Sequence, residues 1–475
     1  MTQVNCRTMD GGNTHIDSEA VATLRGQIRG TVLLPSDADY DQVRSIWNAM
    51  IDRKPALIIR AAGAADVIQT VNFARAHRAV LAVRGGGHNI AGNAVCDGGV
   101  MLDLSGLKSV RIDPVARTAR VEPGVTLNDF DREAQAFGLV TPTGINSTTG
   151  IAGLALGGGF GWLSRKYGLT SDNLVSADIV TADGTLRHVS ANENAELFWA
   201  VRGGGGNFGV VTSFEFRLHA VGPMVLAGLI VHPFANAKAI LQGYRDLMAN
   251  APEELTCWFV ARKAPPLPFL APEVHGTEVL VLALCYCGDL EAGQAAIAPL
   301  RALGTPLADV VGPMPFAGWQ TAFDPLLTPG ARNYWKSHSL VSLSDSALDV
   351  IIDYVGQLPT GECEVFCGHL GGAINRVGAE ETAYPHRAIN FVLNVHTRWR
   401  EVADDEKCIA WARGLFGAMT PHATGSVYVN FMPEDEAQRV SQGAYGVNYA
   451  RLVELKKKFD PENLFRLNQN IAPTE

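Results

Sequence analysis

Hydrophobic and polar residues follow two different periods along this chain. In the segment 64–77, AADVIQTVNFARAH, apolar residues recur at helical spacing and place Val67, Val71 and Ala74 on one face. Near the end of the chain, Leu452, Leu455 and Phe459 form a similar stripe. Other stretches are short apolar or alternating runs, typical of strands. The predicted helices are 64–77, 127–137, 194–201 and 449–459, and the predicted strands are 79–83, 100–104, 119–122 and 210–218.

The composition and the pattern of predicted elements change along the chain, and these changes predict its domains. Between 46 and 221, short strands, helices and glycine clusters alternate. Residues 222–424 contain proline-rich loops, β-rich runs and helical segments, without any phosphate-type loop, which is typical of an α+β substrate domain. We therefore predict an N-terminal segment (1–45), a first domain (46–221), a substrate-binding domain (222–424) and a C-terminal segment (425–475).

Composition excludes two classes of partner. The chain has 475 residues, of which 47% are hydrophobic and 18% charged, as expected of a globular protein with about two or three domains. Its net charge is −9 and it has no run of basic residues, so we expect no nucleic-acid partner. The longest apolar runs, 224–231 and 279–287, are far shorter than the roughly 18 residues that span a bilayer, so we expect no membrane partner.

The eight cysteines suggest a compartment but no metal site. The first twenty residues lack the pattern of a secretory signal, so the thiols are expected to be reduced in a cytoplasmic protein. Cys285 and Cys287 have strand spacing in an apolar run, which predicts one shared face. Cys363, Cys367 and His369 lack a second pair that would complete a tetrahedral set, so no metal is expected.

Glycines gather in three clusters: VRGGGHNIAGN (83–93), GIAGLALGGGFG (150–161) and RGGGGNFGVV (202–211). Residues without side chains allow backbone N–H groups to close around an anion, most often a phosphate. Tight turns between strands are the structural alternative. Three dense clusters in one region favour a single long ligand that is held at several points.

Two common nucleotide motifs do not explain these clusters. Gly204, Gly206 and Gly209 match the spacing GxGxxG, but a Rossmann loop needs a strand before it and a helix after it. Here the predicted helix 194–201 comes first and the predicted strand 210–218 follows. The sequence also lacks GxxxxGK[ST], so neither a Rossmann dehydrogenase nor a P-loop enzyme is supported.

A histidine, His88, directly follows the first glycine cluster. A single histidine most often has a structural role, donating to a backbone carbonyl. A neutral imidazole is also a nucleophile, and beside a pyrophosphate cradle it could bond covalently to a flavin ring. Such a bond would raise the reduction potential of the flavin and prevent its loss.

Four groups of motifs occur in order along the chain. They are RGGGHN with CDGGVMLDLS, then PTGINSTTGIAGLALGGGFGWLSRKYGLTSDN, then LFWAVRGGGGNFGVVTSFEF, and finally YVNF with YGVNYARLVELKKKFDPENLFRLNQNI. From about residue 46 to the C-terminus the chain thus resembles the berberine bridge enzyme-like flavoproteins, which are FAD-linked oxidases of the vanillyl-alcohol oxidase superfamily. The resemblance implies an α+β fold: a PCMH-type FAD-binding domain of two subdomains, a substrate domain with an antiparallel sheet covered by helices, and a C-terminal segment that returns to the FAD domain.

The resemblance also implies where FAD would lie. His88 would carry the 8α-methyl group of the flavin, and the first glycine cluster would wrap the pyrophosphate. The implied pyrophosphate contacts are Arg84, Gly85, Gly86, Gly87, Asn89 and Gly92; the opposite side has Thr149, Gly150, Gly153, Gly159, Asp172 and Asn173; Val211 is at the adenine end; and Tyr428, Asn430 and Asn468 come from the C-terminal segment.

Two departures from the family pattern refine this expectation. Many relatives attach the flavin a second time through a cysteine, whose position is taken here by Asn146, and Cys96 is too close to His88 to replace it. We therefore expect one covalent link and no cysteinyl link. Thr149 occupies the position at which the family controls access of oxygen. It is nearly isosteric with valine, which favours O2 as the oxidant and H2O2 as the product.

Oxidation of an alcohol or amine by a flavin requires a base for the hydroxyl or amine proton. The resemblance points to Tyr428, whose phenol titrates near ~10 and needs help from its surroundings or a cation. A buried core tyrosine is the structural alternative. Asn394 takes the position of a Glu or Gln in relatives; it can orient a substrate but cannot be a base. His396, two positions further on the same strand face, could act as the base instead, and a surface or structural histidine is the alternative.

Further pocket candidates are Phe160, which replaces a second tyrosine found in some relatives, and Tyr334 and His369 from the middle of the chain. The absence of an acidic base disfavours amine-type ring closure. The sequence therefore predicts a cytoplasmic FAD oxidase acting on an alcohol, sugar or secondary-metabolite C–OH or C–N centre. The alternatives are a flavin dehydrogenase with another acceptor, and a flavin-fold protein that binds small molecules without turnover.

Overall fold

The computed structural model describes residues 3–474, which form five β-sheets and fourteen α-helices. The strands are β1 (Val4–Arg7), β2 (Asn13–Ile16), β3 (Thr31–Leu33), β4 (Leu57–Arg60), β5 (Leu81–Arg84), β6 (Val100–Asp103), β7 (Val110–Asp113), β8 (Thr118–Val121), β9 (Leu139–Val140), β10 (Leu174–Val180), β11 (Leu186–Ser190), β12 (Val210–Arg217), β13 (His219–Ala220), β14 (Met224–Pro233), β15 (Leu255–Lys263), β16 (Glu278–Tyr286), β17 (Ala308–Asp309), β18 (Gly312–Pro315), β19 (Arg332–Leu340), β20 (Glu364–His369) and β21 (Phe391–Trp399). The helices are α1 (Ser18–Gln27), α2 (Tyr40–Arg44), α3 (Ala64–Ala76), α4 (Leu127–Gln135), α5 (Ile151–Leu156), α6 (Ser164–Tyr167), α7 (Ala195–Val201), α8 (Ala237–Met248), α9 (Leu290–Arg301), α10 (Phe316–Gln320), α11 (Asp345–Val355), α12 (Ala373–Arg376), α13 (Asp405–Met419) and α14 (Tyr449–Phe459).

A four-stranded sheet, in the order β3-β4-β6-β5, positions the first glycine cluster. Both β4 and β5 pair with β6 in parallel, because α3 returns the chain across the sheet between β4 and β5. The predicted face of α3 is fully buried at Val67, Val71 and Ala74. The first cluster therefore begins at the carboxyl end of a buried parallel strand, where ligands usually bind in α/β sheets.

A five-stranded antiparallel sheet, in the order β11-β10-β12-β8-β7, holds the other two clusters. Helix α4 begins with a capping box between Thr126 and Asp129, and its Phe130 packs against Phe216 of β12. The third cluster lies between α7 and β12, so a helix precedes it and a strand follows it. This order confirms that the GxGxxG spacing does not form a Rossmann loop.

The second region contains an eight-stranded antiparallel sheet, in the order β17-β14-β16-β15-β20-β21-β19 with β18 also paired to β14. Helices α8, α9, α11 and α13 supply residues such as Leu241, Ile351 and Leu415 to the core that covers one face. Side chains alternate along β15, so Phe259 belongs to this core while Trp258 and Val260 border a cavity on the other face.

The C-terminal segment packs back onto the first region. Leu452 of α14 lies in the same hydrophobic core as the residues of β12. Lys456 is fully buried, and its ammonium donates to Asp460 at 2.7 Å and to the carbonyls of Asn207 at 2.7 Å and Phe465 at 2.9 Å. A buried charge needs partners of this kind, so the contact fixes the segment firmly.

The predicted elements agree with the structure to within about two residues. The four predicted helices correspond to α3, α4, α7 and α14, and the four predicted strands to β5, β6, β8 and β12. The α+β class, with an antiparallel sheet covered by helices, is confirmed. Cys285 lies in β16 and Cys287 just beyond it, and all eight cysteines are free and buried.

Two properties of the described residues bear on possible partners. Within residues 3–474, no three His, Cys, Asp or Glu side chains are grouped so that they could hold a metal ion. In the same part of the chain, every helix is too short or too polar to cross a membrane.

Candidate active site

All three glycine clusters border one cavity of about 380 Å³ between the first region, the eight-stranded sheet and the C-terminal segment. Their backbones form one side of it, and the sheet forms the other. This convergence is the geometry expected of a single long ligand. The glycines that border the cavity are Gly85, Gly86 and Gly87 of the first cluster, Gly150 and Gly153 of the second, and Gly205, Gly206 and Gly209 of the third.

The close approach of two clusters explains why side chains are absent there. A Cβ on Gly86 would lie 2.4 Å from the backbone nitrogen of Gly150, and one on Gly150 would lie 2.5 Å from that of Gly86. Gly87 has φ +74°, in the left-handed region that favours glycine. Asn468 also borders the cavity, with its Oδ1 buried and without a partner among residues 3–474. A cavity lined by backbone N–H groups, with the Asn468 Oδ1 free to accept a hydrogen bond from a ligand, suits a dinucleotide such as FAD.

His88 lies on the wall of this cavity. Its ring stacks on Trp47, with centroids 4.9 Å apart, and its Nε2 is 3.0 Å from Oγ1 of Thr148. Burial lowers the pKa of His88 to about 4, against a smaller opposing effect from a hydrogen bond to the Thr148 backbone. The imidazole is therefore neutral and nucleophilic at neutral pH.

Tyr428 reaches the cavity from the C-terminal segment. Its phenol oxygen accepts hydrogen bonds from the Gly159 backbone at 3.0 Å and from Nδ2 of Asn430 at 2.9 Å. Burial nevertheless raises the pKa of Tyr428 to about 12. Within the described part of the chain, no cationic side chain contacts this oxygen. The phenol is therefore protonated, and the cation that an unassisted tyrosine base would need is missing.

Three charged or polar side chains stand on the sheet side of the cavity. Nδ1 of His396 lies 2.8 Å from one carboxylate oxygen of Glu364, and Arg262 donates to the other at 2.6 Å. Although burial opposes ionisation, Arg262 and His396 together lower the pKa of Glu364 to about 2. An ionised carboxylate can only accept, so Nδ1 carries the hydrogen. Nε2 of His396 is buried and has no partner among the described residues.

Sequence reasoning missed Glu364 and Arg262. Glu364 lies directly opposite His396 in the pairing of β20 with β21, and Arg262 is its neighbour across β15 and β20. These positions become adjacent only once the strands are in register. The one available signal was an acidic residue at the start of the apolar run EVFCGH.

Three predicted substrate-side residues lie off the cavity, which corrects their assignment. Asn394 is fully buried within the sheet, and neither atom of its amide has a partner in residues 3–474. The Tyr334 hydroxyl donates to Asp435 at 2.7 Å. His369 accepts from Arg165 at 2.8 Å, and burial lowers its pKa to about 3. The last two side chains are committed to structural contacts away from the cavity.

Five predicted cofactor contacts also lie behind the cavity wall. Arg84 is bound to Asp103 at 3.0 Å, and both oxygens of Asp172 accept from Arg387 at 2.8 Å. Asn173 donates to backbone carbonyls of the loop that precedes it. The five residues, which hold the glycine loops rather than border the cavity, are Arg84, Gly92, Gly159, Asp172 and Asn173.

The remaining predicted residues meet at the cavity, where they form part of its wall. Phe160 packs against Tyr428 with ring centroids 4.8 Å apart. The predicted residues that border the cavity are Gly85, Gly86, Gly87, His88, Asn89, Thr149, Gly150, Gly153, Phe160, Val211, His396, Tyr428, Asn430 and Asn468.

Comparison with known proteins identifies this fold and cavity as those of an FAD-linked oxidoreductase. Residues 55–190 match the family described as FAD binding domain, and residues 427–472 match the family described as berberine and berberine like. The chain belongs to the berberine bridge enzyme-like family of FAD-linked oxidoreductases, which includes FAD-dependent oxidases.

Named relatives cover nearly the whole chain. An FAD-linked oxidoreductase of Dictyostelium discoideum is 32% identical over 453 residues, which is 94% of this chain and 96% of the relative. (R)-6-hydroxynicotine oxidase of Paenarthrobacter nicotinovorans is 32% identical over 467 residues, covering 94% and 97%. The crystal structure of 6-hydroxy-D-nicotine oxidase from Arthrobacter nicotinovorans superposes with a TM-score of 0.85 at 30% identity, covering 94% of this chain and 98% of the other.

Proposed function

We propose that this protein carries FAD on His88 through a single covalent bond and oxidises an alcohol or amine centre of a small organic molecule, with O2 as the acceptor and H2O2 as the product. The observation that carries the proposal is that a neutral, half-buried His88 borders the same glycine-lined cavity as the Glu364–His396 pair. When bound there, FAD supplies the hydride acceptor. The chain itself must supply the base and the orientation of the substrate.

His396 is the proposed base. Glu364 accepts the hydrogen of Nδ1, which leaves the lone pair on Nε2 as the proton acceptor. Arg262 holds the Glu364 carboxylate ionised, so the orientation of the imidazole is fixed before a substrate arrives. As the hydride leaves the substrate carbon, Nε2 takes the proton of the hydroxyl or amine. Glu364 then stabilises the imidazolium that forms.

Tyr428 is proposed to position the substrate rather than to deprotonate it. Its oxygen already accepts from Gly159 and Asn430, so its own hydrogen remains available to a substrate oxygen or nitrogen. This division of roles follows from the two environments, since burial makes the phenol a poor base while a carboxylate supports the imidazole.

The sheet side of the cavity favours an apolar substrate over a sugar. Hydroxyl groups of a sugar pressed against aliphatic side chains would lose their bonds to water, at about 1–3 kcal/mol each. An aromatic or alicyclic secondary metabolite with one reacting group suits this wall better. The apolar residues on this side are Leu229, Val231, Trp258, Val260, Leu267, Leu270, Val279, Val281 and Ala283.

The remaining details concern attachment and oxygen. Asn146 borders the cavity where a cysteine would be needed for a second link, and an amide cannot form that bond. Thr149 also borders the cavity, and its small side chain supports access of O2. The eight buried and unpaired cysteines support the cytoplasm as the compartment.

The first experiment is acid precipitation of the purified protein, followed by the mass of the His88 peptide. A yellow pellet with one FAD-sized adduct on His88 is expected. A yellow supernatant would contradict covalent attachment, and a protein without any flavin would favour a binding protein without turnover.

A second experiment tests the reaction. Bleaching of the flavin by apolar alcohols or amines, with H2O2 released on aeration, is the expected result. Bleaching that is reversed by an artificial acceptor but not by O2 would favour the dehydrogenase. Faster bleaching by sugars would overturn the proposed substrate class.

A further inference from the structure

Thr148 links His88 to Asn146, the residue at the position where many relatives have their second flavin-binding cysteine. Oγ1 of Thr148 lies 3.0 Å from Nε2 of His88 and 2.9 Å from Oδ1 of Asn146. The backbone N–H of Thr148 also donates to that Oδ1, at 3.2 Å. The three side chains form a continuous hydrogen-bonded row beside the cavity.

The direction of these hydrogen bonds follows from the atoms involved. Oδ1 of an amide can only accept, so the Thr148 hydroxyl must donate its hydrogen to Asn146. Its oxygen is then left to accept from His88, which requires the hydrogen of the imidazole to be on Nε2. The lone pair of the neutral ring is consequently on Nδ1, which has no side-chain partner among residues 3–474.

The loop that carries Thr148 is held from both sides of the cavity. Ser147 donates to Asp324 of the second region through its hydroxyl at 2.5 Å and its backbone at 3.3 Å. The first N–H groups of α4 donate to the carbonyls of Thr149 and Ser147, each at 2.9 Å. Thr148 therefore stands on a fixed support, as the orientation of a reacting group requires.

We propose that Thr148 and Asn146 are positioning residues for covalent attachment of FAD: they fix His88 in the tautomer whose Nδ1 is the nucleophile. The proposal rests on the covalent function proposed above. It gives Asn146 a role at a position that cannot form a second covalent bond. The Thr148–Asn146 pair thus supports the one link that the chain can make.

The attachment step balances without a further protein reagent. A bond forms between Nδ1 and the 8α carbon of the flavin, a C–H bond of that carbon breaks, and the imidazole loses its hydrogen from Nε2. The flavin ring takes up the two electrons and two protons, and dioxygen then accepts both and becomes H2O2. The Thr148 hydroxyl can afterwards turn and donate to Nε2, because Asn146 Oδ1 keeps the Thr148 backbone N–H.

The test compares Thr148→Val, which keeps the shape but removes the hydroxyl, with Thr148→Ser, which keeps the hydroxyl. Full-length proteins from riboflavin-limited cells are incubated with FAD, and the His88–FAD peptide is followed by mass over time. We expect attachment to slow about tenfold or more in Thr148→Val and to stay within about twofold of the parent in Thr148→Ser. Asn146→Ala should also slow attachment, and Asn146→Asp, which keeps an acceptor oxygen, should restore it.

Several results would overturn the proposal. If Thr148→Val and Asn146→Ala both attach FAD at the parent rate, the row does not act on His88. The same follows if NMR of the isolated flavin peptide shows the parent bond at Nε2 rather than Nδ1. A parent protein without any adduct would remove the covalent function as well, so the two failures are distinguishable. Unchanged non-covalent FAD affinity in the Thr148 variants separates the effect from misfolding.

Discussion

The two sides of the cavity are built on different principles. The first region presents backbone, in three glycine clusters, of which the first two approach each other too closely for a Cβ at Gly86 or Gly150. The eight-stranded sheet presents side chains, which are aliphatic or aromatic except around Arg262, Glu364 and His396. A backbone surface suits a ligand that is the same throughout a family, whereas a surface of side chains can change without altering the fold. The shape of the cofactor side therefore depends on the course of the backbone, and the specificity of the substrate side depends on which side chains line it.

Gly150→Ala should produce the largest effect, because it attacks the backbone side directly. The new Cβ would lie 2.5 Å from the backbone nitrogen of Gly86, and backbone cannot move aside at low cost. In a His88→Ala background, which prevents covalent attachment, we expect FAD affinity to fall by more than about 100-fold, measured by titration of flavin fluorescence. Gly417→Ala is the matched control, since that position in α13 has no atom within 4 Å of a Cβ and lies off the cavity. Equal affinity in both variants would contradict a close-fitting cradle.

Glu364→Gln should produce the next largest effect, and only on catalysis. The amide cannot hold Arg262 as an ion pair or stabilise an imidazolium on His396. The rate of flavin reduction in stopped flow should fall by about 100-fold, with little change in bound flavin. The fall should be smaller at high pH, where the substrate hydroxyl loses its proton to solvent base more readily. An unchanged rate would remove the proposed role of the His396–Glu364 pair.

Val281→Thr tests the apolar side with a smaller change. Threonine nearly keeps the shape of valine but adds a hydroxyl to a wall that offers it few partners. We expect KM for an apolar substrate to rise by about 3- to 10-fold with kcat nearly unchanged, in steady-state assays of H2O2 release. Val115→Thr, at a residue 94% exposed and remote from the cavity, is the control. A fall in kcat alone would show that Val281 acts on the chemistry rather than on binding.

Asp131 has the smallest expected effect on binding and catalysis, because it acts only on stability, at the contact that joins the two sides. Gln320 of α10 donates to this fully buried carboxyl of α4 at 2.8 Å. Burial raises the pKa of Asp131 to about 7. Its contribution to stability is therefore complete below the unfolded value near 4 and is lost as pH rises towards 7, by up to about tenfold in the unfolding constant per pH unit. Asp131→Asn should reduce the dependence of the free energy of unfolding on pH, measured by urea unfolding at several pH values between about 4 and 7. The same pH dependence in the variant and the parent would contradict the raised pKa.

The sequence predicts the backbone side far better than the side-chain side. Several residues of the cavity belong to short contiguous motifs, which can be recognised in the sequence without knowledge of the fold. The structure brings four of them to one cavity: Gly86, His88, Gly150 and Tyr428. Glu364 became recognisable only through its register opposite His396, which depends on the pairing of β20 with β21.

The wrong assignments also arise from contacts between segments that are distant in the sequence. Asp172 lies within a motif, yet its partner Arg387 is 215 positions away along the chain and draws the carboxylate away from the cavity. Tyr334 similarly bonds to Asp435, 101 positions away. Contacts between distant segments decide which way a polar side chain turns, and neither periodicity nor motif spacing contains them.

The return of the C-terminal segment has a consequence for the order of events during synthesis. Tyr428, Asn430 and Asn468 complete the cavity, and Lys456 ties their segment to Asn207. A nascent chain on the ribosome that has produced only the three glycine clusters has a cradle without its last wall. We therefore expect the flavin to bind at full affinity only after the C-terminal segment has left the ribosome.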